Sequence, residues 1–261
     1  MKGFLQEYGV IMVVVAVVLG MLAFGKTGYA KSIQDAILGS ADHIVETGEN
    51  ITKKQTGDLL KIEGREYIVI EEKENNKFLV MASSRTSGRF HYSWGEDSYI
   101  RSDGKYANTY ENSYMDNDLE QWYKRLPTKM QEAIQLTDIK QVSYSWENNI
   151  GLVKHEVGPN DQIYNTISRH VFCPSVDEFK KLLNFNNSDK VKEFIKNDSE
   201  WTRDSKYTKG TNNAGAESMY LYAYGGGIST CYGQYINSVR PTFVIDLSKV
   251  DYTEVGHVDY K

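Results

Sequence analysis

Cysteine and proline are both scarce in this chain. Its 261 residues include two cysteines, Cys173 and Cys231, and four prolines. The two cysteines lie far apart, and no Cys-x-x-Cys or Cys/His spacing accompanies them, which argues against a structural zinc site. The sequence leaves open whether they pair in a disulfide, as in an extracellular domain, or remain buried thiols.

Concentrated positive charge is also missing. The formal net charge is −5, and no basic run is longer than a couple of residues. We therefore expect no nucleic-acid binding through an electrostatic footprint. The run Gly225-Gly226-Gly227 indicates a flexible turn, because it lacks the spacing of a phosphate-binding loop.

Residues that would support catalysis are not arranged in any recognisable set. The segments "WENN" (146–149) and "GPND" (158–161) do not form a convincing calcium-binding pattern. The histidines do not assemble with a serine and an aspartate into a nucleophilic triad. We therefore predict no enzyme activity, no metal and no cofactor. The histidines are His43, His91, His155, His170 and His257.

The longest apolar run covers residues 8–25 and contains no charged residue. At a rise of ~1.5 Å per residue, a helix of this length comes close to spanning the hydrocarbon layer. It has three interpretations: a buried helix, a signal peptide cleaved after Ala30, or a retained membrane helix. We favour the retained helix, because apolar residues recur at helical spacing beyond Gly28. This places the protein at the cell membrane or cell surface, with its C-terminal domain outside.

The start of this run, "EYGVIMVVVAVVLGML" (7–22), resembles the N-terminal helix of type IV-like pilins, especially the small Flp class with its Glu-Tyr pair. That resemblance implies that Glu7 helps to register subunits in a filament, and that the chain self-associates through this helix. In this sequence Gly3 precedes the Glu-Tyr pair by three intervening residues, whereas the family has four.

The rest of the chain predicts a mixed domain after a polar linker. Residues 59–84 are predicted to form a meander of strands, and strands are also expected at 139–146 and 241–247. Helices are expected at 112–134, capped by Asp116 or Asn117, at 175–185, where Ser175 and Glu178 form a capping box, and at 189–197. Because helices and strands do not alternate regularly, we predict an α+β fold with an antiparallel sheet. The predicted divisions are a helix (1–46), a linker (47–57), the domain (58–250) and a tail (251–261).

Five motifs then follow one another from residue 108 onward. They are "NTYENSYMDNDLEQWYKRLPTKMQEAI" (108–134), "VFCPSVDEF" (171–179), "EWTRDSKYTKG" (200–210), "GGGIS" (225–229) and "SVRPTFVIDL" (238–247). This succession resembles a family of domains on secreted and surface proteins of Gram-positive bacteria. Those domains are similar to the C-type-lectin-like fold, which formylglycine-generating enzymes and retroelement-diversified adhesins share. The resemblance covers residues 57–250 and implies a buried terminal strand that supports irregular loops.

Four residues are expected to form the framework of that fold. Pro241 suits the first residue of a strand, because proline cannot donate a ladder hydrogen bond. Arg240, just before it, would pair with a carboxylate or with carbonyl oxygens and fix the preceding loop. Trp201 and Arg203 would hold the loop region on a rigid base.

The loop region itself, residues 205–237, is rich in Tyr, Ser, Asn and Gly, which is the composition of binding loops. The alternation in "YLYAY" places Tyr220, Tyr222 and Tyr224 on one face of a strand. We predict an adhesin-like protein that binds a protein or glycan ligand at the surface and is anchored by its N-terminal helix. An enzyme of the formylglycine-generating type and a purely structural pilin remain alternatives. The candidate ligand-binding residues are Tyr207, Asn212, Asn213, Tyr220, Tyr222, Tyr224, Tyr232 and Tyr235.

Overall fold

The computed structural model describes residues 54–74, 76–90, 100–196, 198–210 and 217–261. The chain divides into two compact units, 1–53 and 54–261, and the described residues all belong to the second. The predictions for Glu7, the apolar run 8–25 and the helix up to residue 46 therefore fall outside the described residues. Within the described part, no helix is both long enough and apolar enough to cross a membrane.

The predicted strand meander is present and forms the start of a six-stranded antiparallel sheet. Its turns need left-handed backbone, which Gly64 (φ +76°) and Asn76 (φ +64°) supply. The strands are β1 (Asp58–Ile62), β2 (Arg65–Glu74), β3 (Lys77–Ala82), β5 (Ile134–Gln135), β14 (Thr242–Asp246) and β15 (Tyr252–His257). Their order across the sheet is β15-β1-β2-β3-β14-β5. Residues 251–261, expected as a tail, thus contribute a strand that pairs with β1.

A second sheet carries the region of interest. Its strands are β4 (Thr86–Gly88), β7 (Ser143–Glu147), β8 (Gly151–His155), β10 (Glu200–Lys206), β11 (Glu217–Tyr222), β12 (Gly227–Tyr232) and β13 (Asn237–Val239). The main path runs β12-β11-β10-β13-β4, and β7 pairs with both β10 and β8. The remaining strands, β6 (Thr137–Lys140) and β9 (Thr166–Arg169), pair with each other.

The helices are short and begin at local capping signals. They are α1 (Tyr114–Lys124), α2 (Thr128–Ala133), α3 (Val176–Leu182) and α4 (Ser188–Ile195). The capping box between Ser175 and Glu178 at the start of α3 is confirmed. Helix α1 is capped by Ser113, whose hydroxyl accepts the N–H of Asp116. The prediction of Asp116 or Asn117 as the cap is therefore wrong.

The predicted fold class is wrong. Of the described residues, 44% lie in strands and 20% in helices, so the domain is mostly β. Helices do form within the predicted helical segments, but they are short, since α3 has 7 residues and α4 has 8. Several segments without a strong sequence pattern form strands instead. The expectation of an α+β domain is thus replaced by a mainly antiparallel architecture of two large sheets and one two-stranded sheet.

The main core fills the space between the sheets and helices with large apolar side chains. Phe78 and Phe243 come from the first sheet, Phe179 and Phe194 from α3 and α4, and Trp201 from β10; none is more than 1% exposed. Burying each such side chain stabilises the fold by ~2–3 kcal/mol before entropy is counted. Strand β10 is buried over all but its last residue. It is therefore the rigid base on which the rest of the second sheet is built.

Candidate functional site

A buried ion cluster anchors one end of β10. Arg240, 4% exposed, donates from Nε to Glu200 Oε2 at 2.9 Å. Its Nη1 and Nη2 donate to the carbonyl oxygens of Ser83 (2.9 Å) and Phe194 (3.0 Å). A second guanidinium, that of Arg85, approaches Glu200 Oε1 at 2.5 Å. Arg240 thus ties β10 to the end of β3 and to α4, and Pro241 follows it directly before β14.

A second buried group lies farther along β10. Arg203 forms paired hydrogen bonds with Glu178 at 2.8 and 2.9 Å, which connects β10 to α3. Asp204 accepts the backbone N–H groups of Val142 (3.2 Å) and Val176 (2.7 Å). Burial raises the pKa of Asp204 to about 6, although Arg203 and the two N–H groups act in the opposite direction. Both side chains therefore hold the framework together; Asp204 is fully buried, and Arg203 is 6% exposed.

A line of aromatic rings leads from this framework to the solvent. The ring centroids are 5.8 Å apart for Trp201 and Tyr220, 5.7 Å for Tyr220 and Tyr222, and 5.7 Å for Tyr222 and Tyr224. Tyr220 is 9% exposed, Tyr222 37% and Tyr224 82%. We call Tyr220, Tyr222 and Tyr224 the tyrosine row. Its inner end is fixed by Trp201, which donates from Nε1 to the carbonyl of Gly88 at 2.9 Å.

The strand beside the tyrosine row carries small residues opposite the rings. Ser229 of β12 lies opposite Tyr220, and Gly227 lies opposite Tyr222. Because directly opposed residues share a face of the sheet, Gly227 offers no side chain to cover the Tyr222 ring from the β12 side, whereas Tyr220 is only 9% exposed. The turn between the strands passes close to α4: Gly226 has φ +65°, and a Cβ there would lie 2.4 Å from the carbonyl oxygen of Ser188. Only glycine fits this turn.

Strand β12 is an edge strand, and its outward backbone groups can be assigned. The carbonyl oxygen of Met219 accepts a hydrogen bond from the hydroxyl of Thr202 on β10, so the backbone N–H and C=O of Met219 point away from β12. The direction of the backbone N–H and C=O groups alternates along a strand. Those of Ser218, Tyr220 and Tyr222 therefore point towards β12 and are hydrogen-bonded to it. On β12 itself, the N–H and C=O groups of Ile228 and Thr230 must then point away from β11. Within the described part of the chain, nothing pairs with them.

This edge also lacks charge. None of residues 218–239 is charged, although natural edge strands usually carry charges, bulges or prolines that prevent pairing with other chains. The other long edges in the described residues have such protection. Strand β15 contains Glu254 and lies beside a bulge at Leu59/Leu60, and β8 contains Lys154. Strand β12 is therefore the edge best suited to accept another strand.

The other predicted ligand residues do not join the tyrosine row. Tyr207 stacks on His155, with centroids 4.0 Å apart, and donates to Asp161. Tyr232 lies opposite Glu217, on the other face of the sheet from Tyr220. Tyr235 is 52% exposed in the connection between β12 and β13. Asn212 and Asn213 lie outside the described residues.

One pair that the sequence analysis missed has the chemistry of a nucleophile and a base. Ser145 Oγ lies 2.7 Å from His155 Nε2, across the β7–β8 hairpin. The nearby Asp161 accepts from Tyr207 and pairs with Lys209 at 2.9 Å, so its carboxylate is bonded to groups other than the imidazole. Without a carboxylate on His155, the pair does not form a triad. Alternation of small and polar residues on a hairpin could have revealed this pair.

The two cysteines do not form a disulfide. Cys173 is buried and donates weakly to the carbonyl of Trp201, while Cys231 is half-buried on β12. Burial raises the pKa of both thiols. Among the described residues, no cluster of three or more His, Cys, Asp or Glu side chains is arranged to hold a metal.

Comparison with known proteins identifies the family. A family model described as a domain of unknown function, DUF6273, matches residues 75–247, which is more than half of the chain. The chain belongs to the DUF6273 family. No curated protein and no solved structure matches it. The DUF6273 region contains β10, the tyrosine row, the β12 edge and Arg240, whereas β1, β2 and β15 lie outside it.

The family match does not bear on the C-type-lectin-like and pilin-like resemblances. The terms lectin-like, adhesin and pilin-like are not supported by the family match, and the described residues hold no helix able to span a membrane. Each of the motifs quoted for the resemblance marks a capped helix, a turn or a strand start. Such features arise in many folds for local reasons.

Proposed function

We propose that the DUF6273 domain binds an extended segment of a partner protein, which adds as a strand to the outer edge of β12. The observation that carries the proposal is the outward direction of the Ile228 and Thr230 backbone groups on an uncharged edge. Two residues in this orientation offer two N–H donors and two C=O acceptors. An added strand satisfies all four, as in other domains that recognise peptides by extending a sheet.

The tyrosine row supplies the side-chain part of the recognition. Side chains on one face of the added strand lie next to Gly227 and Ser229, and longer ones reach across these small residues to the rings. Aromatic residues of this kind often provide most of the binding energy at protein interfaces. Because residues 218–239 carry no charge, the partner segment should itself be uncharged and rich in apolar residues.

The size of the expected affinity follows from these contacts. Four backbone hydrogen bonds contribute ~0.5–1.5 kcal/mol each. The ordering of the partner segment opposes this gain. Contacts with Tyr222 and Tyr224 are then needed for a dissociation constant in the micromolar range, which corresponds to about −8 kcal/mol.

The test begins with peptides selected for binding to the full-length chain from a displayed library of extended segments. The critical variant is Thr230→Pro, which removes an outward N–H while the ladder to β11 stays intact. The matched control is Thr230→Val, which keeps the N–H and removes only the hydroxyl. We expect Thr230→Pro to weaken peptide binding by at least about tenfold and Thr230→Val to change it by less than about threefold.

Replacement of the most exposed ring separates the two parts of the site. Tyr224→Ala should weaken binding by about 5- to 30-fold, because aromatic contacts at interfaces contribute ~1–2 kcal/mol. A glycan held by the rings alone would lose binding in Tyr224→Ala but not in Thr230→Pro, and that result would refute strand addition. A dimer of the full-length chain that Thr230→Pro abolishes would instead identify a second copy as the occupant, contradicting the proposal of a foreign partner.

A further inference from the structure

A cleft with an excess of positive charge lies away from the tyrosine row and has a volume of about 200 Å³. We call it the basic cleft. It is formed by residues of β2, the β6–β7 connection, β8, the start of α3, and β10. Five cationic side chains line it: Lys73, Lys140, Lys154, Lys181 and Arg203. Three carboxylates, those of Glu71, Asp177 and Glu178, also line it, which leaves an excess of two positive charges.

The excess is unusual because the whole chain has a net charge of −5. The excess of positive charge also remains when the charged residues that flank the lining are included. Glu156, 3.6 Å from Lys140 and 3.5 Å from Lys154, adds one negative charge, and Lys180, 3.6 Å from Asp177, adds one positive charge. Asp204, buried beside Arg203, adds a further negative charge when it is ionised, so the basic cleft and its surroundings keep an excess of at least one positive charge on an otherwise acidic protein.

Each carboxylate in the cleft is already held by a specific partner. Glu71 contacts both Lys73 and Lys181. Asp177 accepts the Tyr144 hydroxyl at 2.8 Å and pairs with Lys154 at 3.0 Å. Burial alone would raise the pKa of Asp177, but these bonds lower it below its usual range. Contacts with lysines also lower the pKa of Glu71, against the effect of burial, so Glu71 and Asp177 stay ionised and position the cations.

One wall of the cleft is rigid. Arg203 is 6% exposed, and its guanidinium is fixed by Glu178 and by the carbonyl of Cys173 at 2.9 Å. Lys140 forms the longest ion pair among the lysines of the lining, since its partner, Glu156, lies 3.6 Å away and is 65% exposed. A ligand entering the cleft would therefore meet Lys140 and Lys154 beside a preorganised arginine.

We propose that the basic cleft binds a small soluble anion that carries a phosphate group. A phosphate monoester bears −1.5 to −2 charges near neutral pH, which is opposite in sign to the excess charge of the cleft lining. The cleft volume is more than ten times the ~10–15 Å³ that one water requires, so a phosphate group fits. An excess of one sign of charge in a cleft raises the local concentration of ligands of the opposite sign. The tetrahedral oxygens would accept from the two lysines, each a compact donor group.

The experiment is calorimetric titration of the full-length chain with inorganic phosphate at low ionic strength, repeated with glycerol phosphate as a monoester. We expect saturable binding of both, together with a rise in melting temperature that grows with ligand concentration. The double variant Lys140→Gln/Lys154→Gln should bind at least about tenfold more weakly, since it loses two ion pairs with the ligand. The matched control is Lys129→Gln, a surface lysine that pairs with Asp251 at 2.5 Å away from the cleft lining.

Several results would overturn the proposal. They are the absence of saturable binding, equal weakening in Lys129→Gln, and binding to anionic lipid vesicles without binding to either soluble phosphate. Circular dichroism of each variant excludes loss of folding as the cause. The peptide site on β12 and the basic cleft use different residues, so Thr230→Pro should leave phosphate binding unchanged. Failure of one proposal is thereby distinguished from failure of the other.

Discussion

Replacement of Arg240 by leucine should destabilise the domain by about 3 kcal/mol. Leucine roughly retains the apolar stem but removes the guanidinium, which bonds to Glu200 and to the carbonyls of Ser83 and Phe194. The guanidinium also lies 4.2 Å from the centre of the Phe194 ring. All of these contacts are lost together.

The magnitude follows from two opposing considerations. Breaking one partner of a buried ion pair typically costs ~3–5 kcal/mol, because the other charge stays buried without compensation. Here Glu200 keeps a second cation, since Arg85 approaches its carboxylate at 2.5 Å. An open groove of about 520 Å³, lined in part by Ser83, Arg85 and Phe194, also lets water reach the released carbonyl groups. Both features reduce the cost to the lower end of the range.

The measurement is urea unfolding followed by tryptophan fluorescence. With a urea dependence of ~2 kcal/mol per M, a loss of 3 kcal/mol lowers the midpoint by about 1.5 M. The matched control is Arg125→Leu at an exposed position, which should change stability by less than about 0.5 kcal/mol. Glu200→Leu should cost more than Arg240→Leu, since it removes the carboxylate that both guanidinium groups share and leaves Arg85 with the more distant carboxylate of Asp198, at 3.7 Å.

A double-mutant cycle then tests whether the cluster acts as a unit. The free-energy loss of Glu200→Leu/Arg240→Leu should fall short of the sum of the single losses by more than about 1 kcal/mol. If Arg240→Leu shifts the midpoint by less than 0.3 M, or if the two losses add, the buried cluster does not hold β10 and the reasoning is refuted.

Two further predictions concern β10 and the β11–β12 turn. The pKa of Asp204 is raised from its usual 3.8 to about 6, so its protonated form favours folding, and this contribution is lost as pH rises from about 4 through 6. The stability of the wild type relative to Asp204→Asn should therefore fall by up to ~3 kcal/mol between pH 4 and 7 in urea unfolding, and a constant difference would contradict it. Gly226→Ala should cost about 2 kcal/mol or more, because it combines a left-handed backbone with a Cβ placed 2.4 Å from the Ser188 carbonyl. Gly64→Ala, which has φ +76° and open space, should cost only ~1 kcal/mol, and equal losses would show that the contact with α4 is unimportant.

The features that sequence predicted well depend on neighbours in the chain. The meander of β1, β2 and β3 follows from apolar runs separated by Gly64 and Asn76. The capping box at Ser175 needs only a residue three positions away. The alternation of tyrosines places Tyr220 and Tyr222 on one face of β11, and Tyr224 follows in the turn.

The features that sequence missed depend on distant pairing. Strand β15 pairs with β1 from the other end of the domain, and His257 bonds to Asp58 at 2.8 Å. The cap of α1 was misassigned for a related reason. Asp116 could cap a helix, but its carboxylate is buried in a paired contact with Arg169 at 2.8 and 2.7 Å, which leaves Ser113 as the cap. No local pattern reveals that competition.

The candidate site shows the same division between local and distant information. The missing charge in residues 218–239 is visible in the sequence, but its meaning depends on topology. An uncharged strand in the middle of a sheet is ordinary, whereas the same strand at an edge exposes unpaired backbone groups. Only the sheet order, with β12 at the end, turns the composition into an argument for binding.

Strand β10 explains why such an edge can remain exposed without loosening the domain. Three of its residues have partners outside the strand: Glu200 is bonded to Arg240, Trp201 to the carbonyl of Gly88, and Arg203 to Glu178. Strand β11 pairs with this fixed base, and the tyrosine row begins at Trp201. The edge strand can then be polar and half-buried, because its position is set by its neighbour and not by its own core contacts. A rigid base and an unprotected edge are together what a strand-adding site requires, since an edge that is already ordered adds little entropy cost when the partner binds.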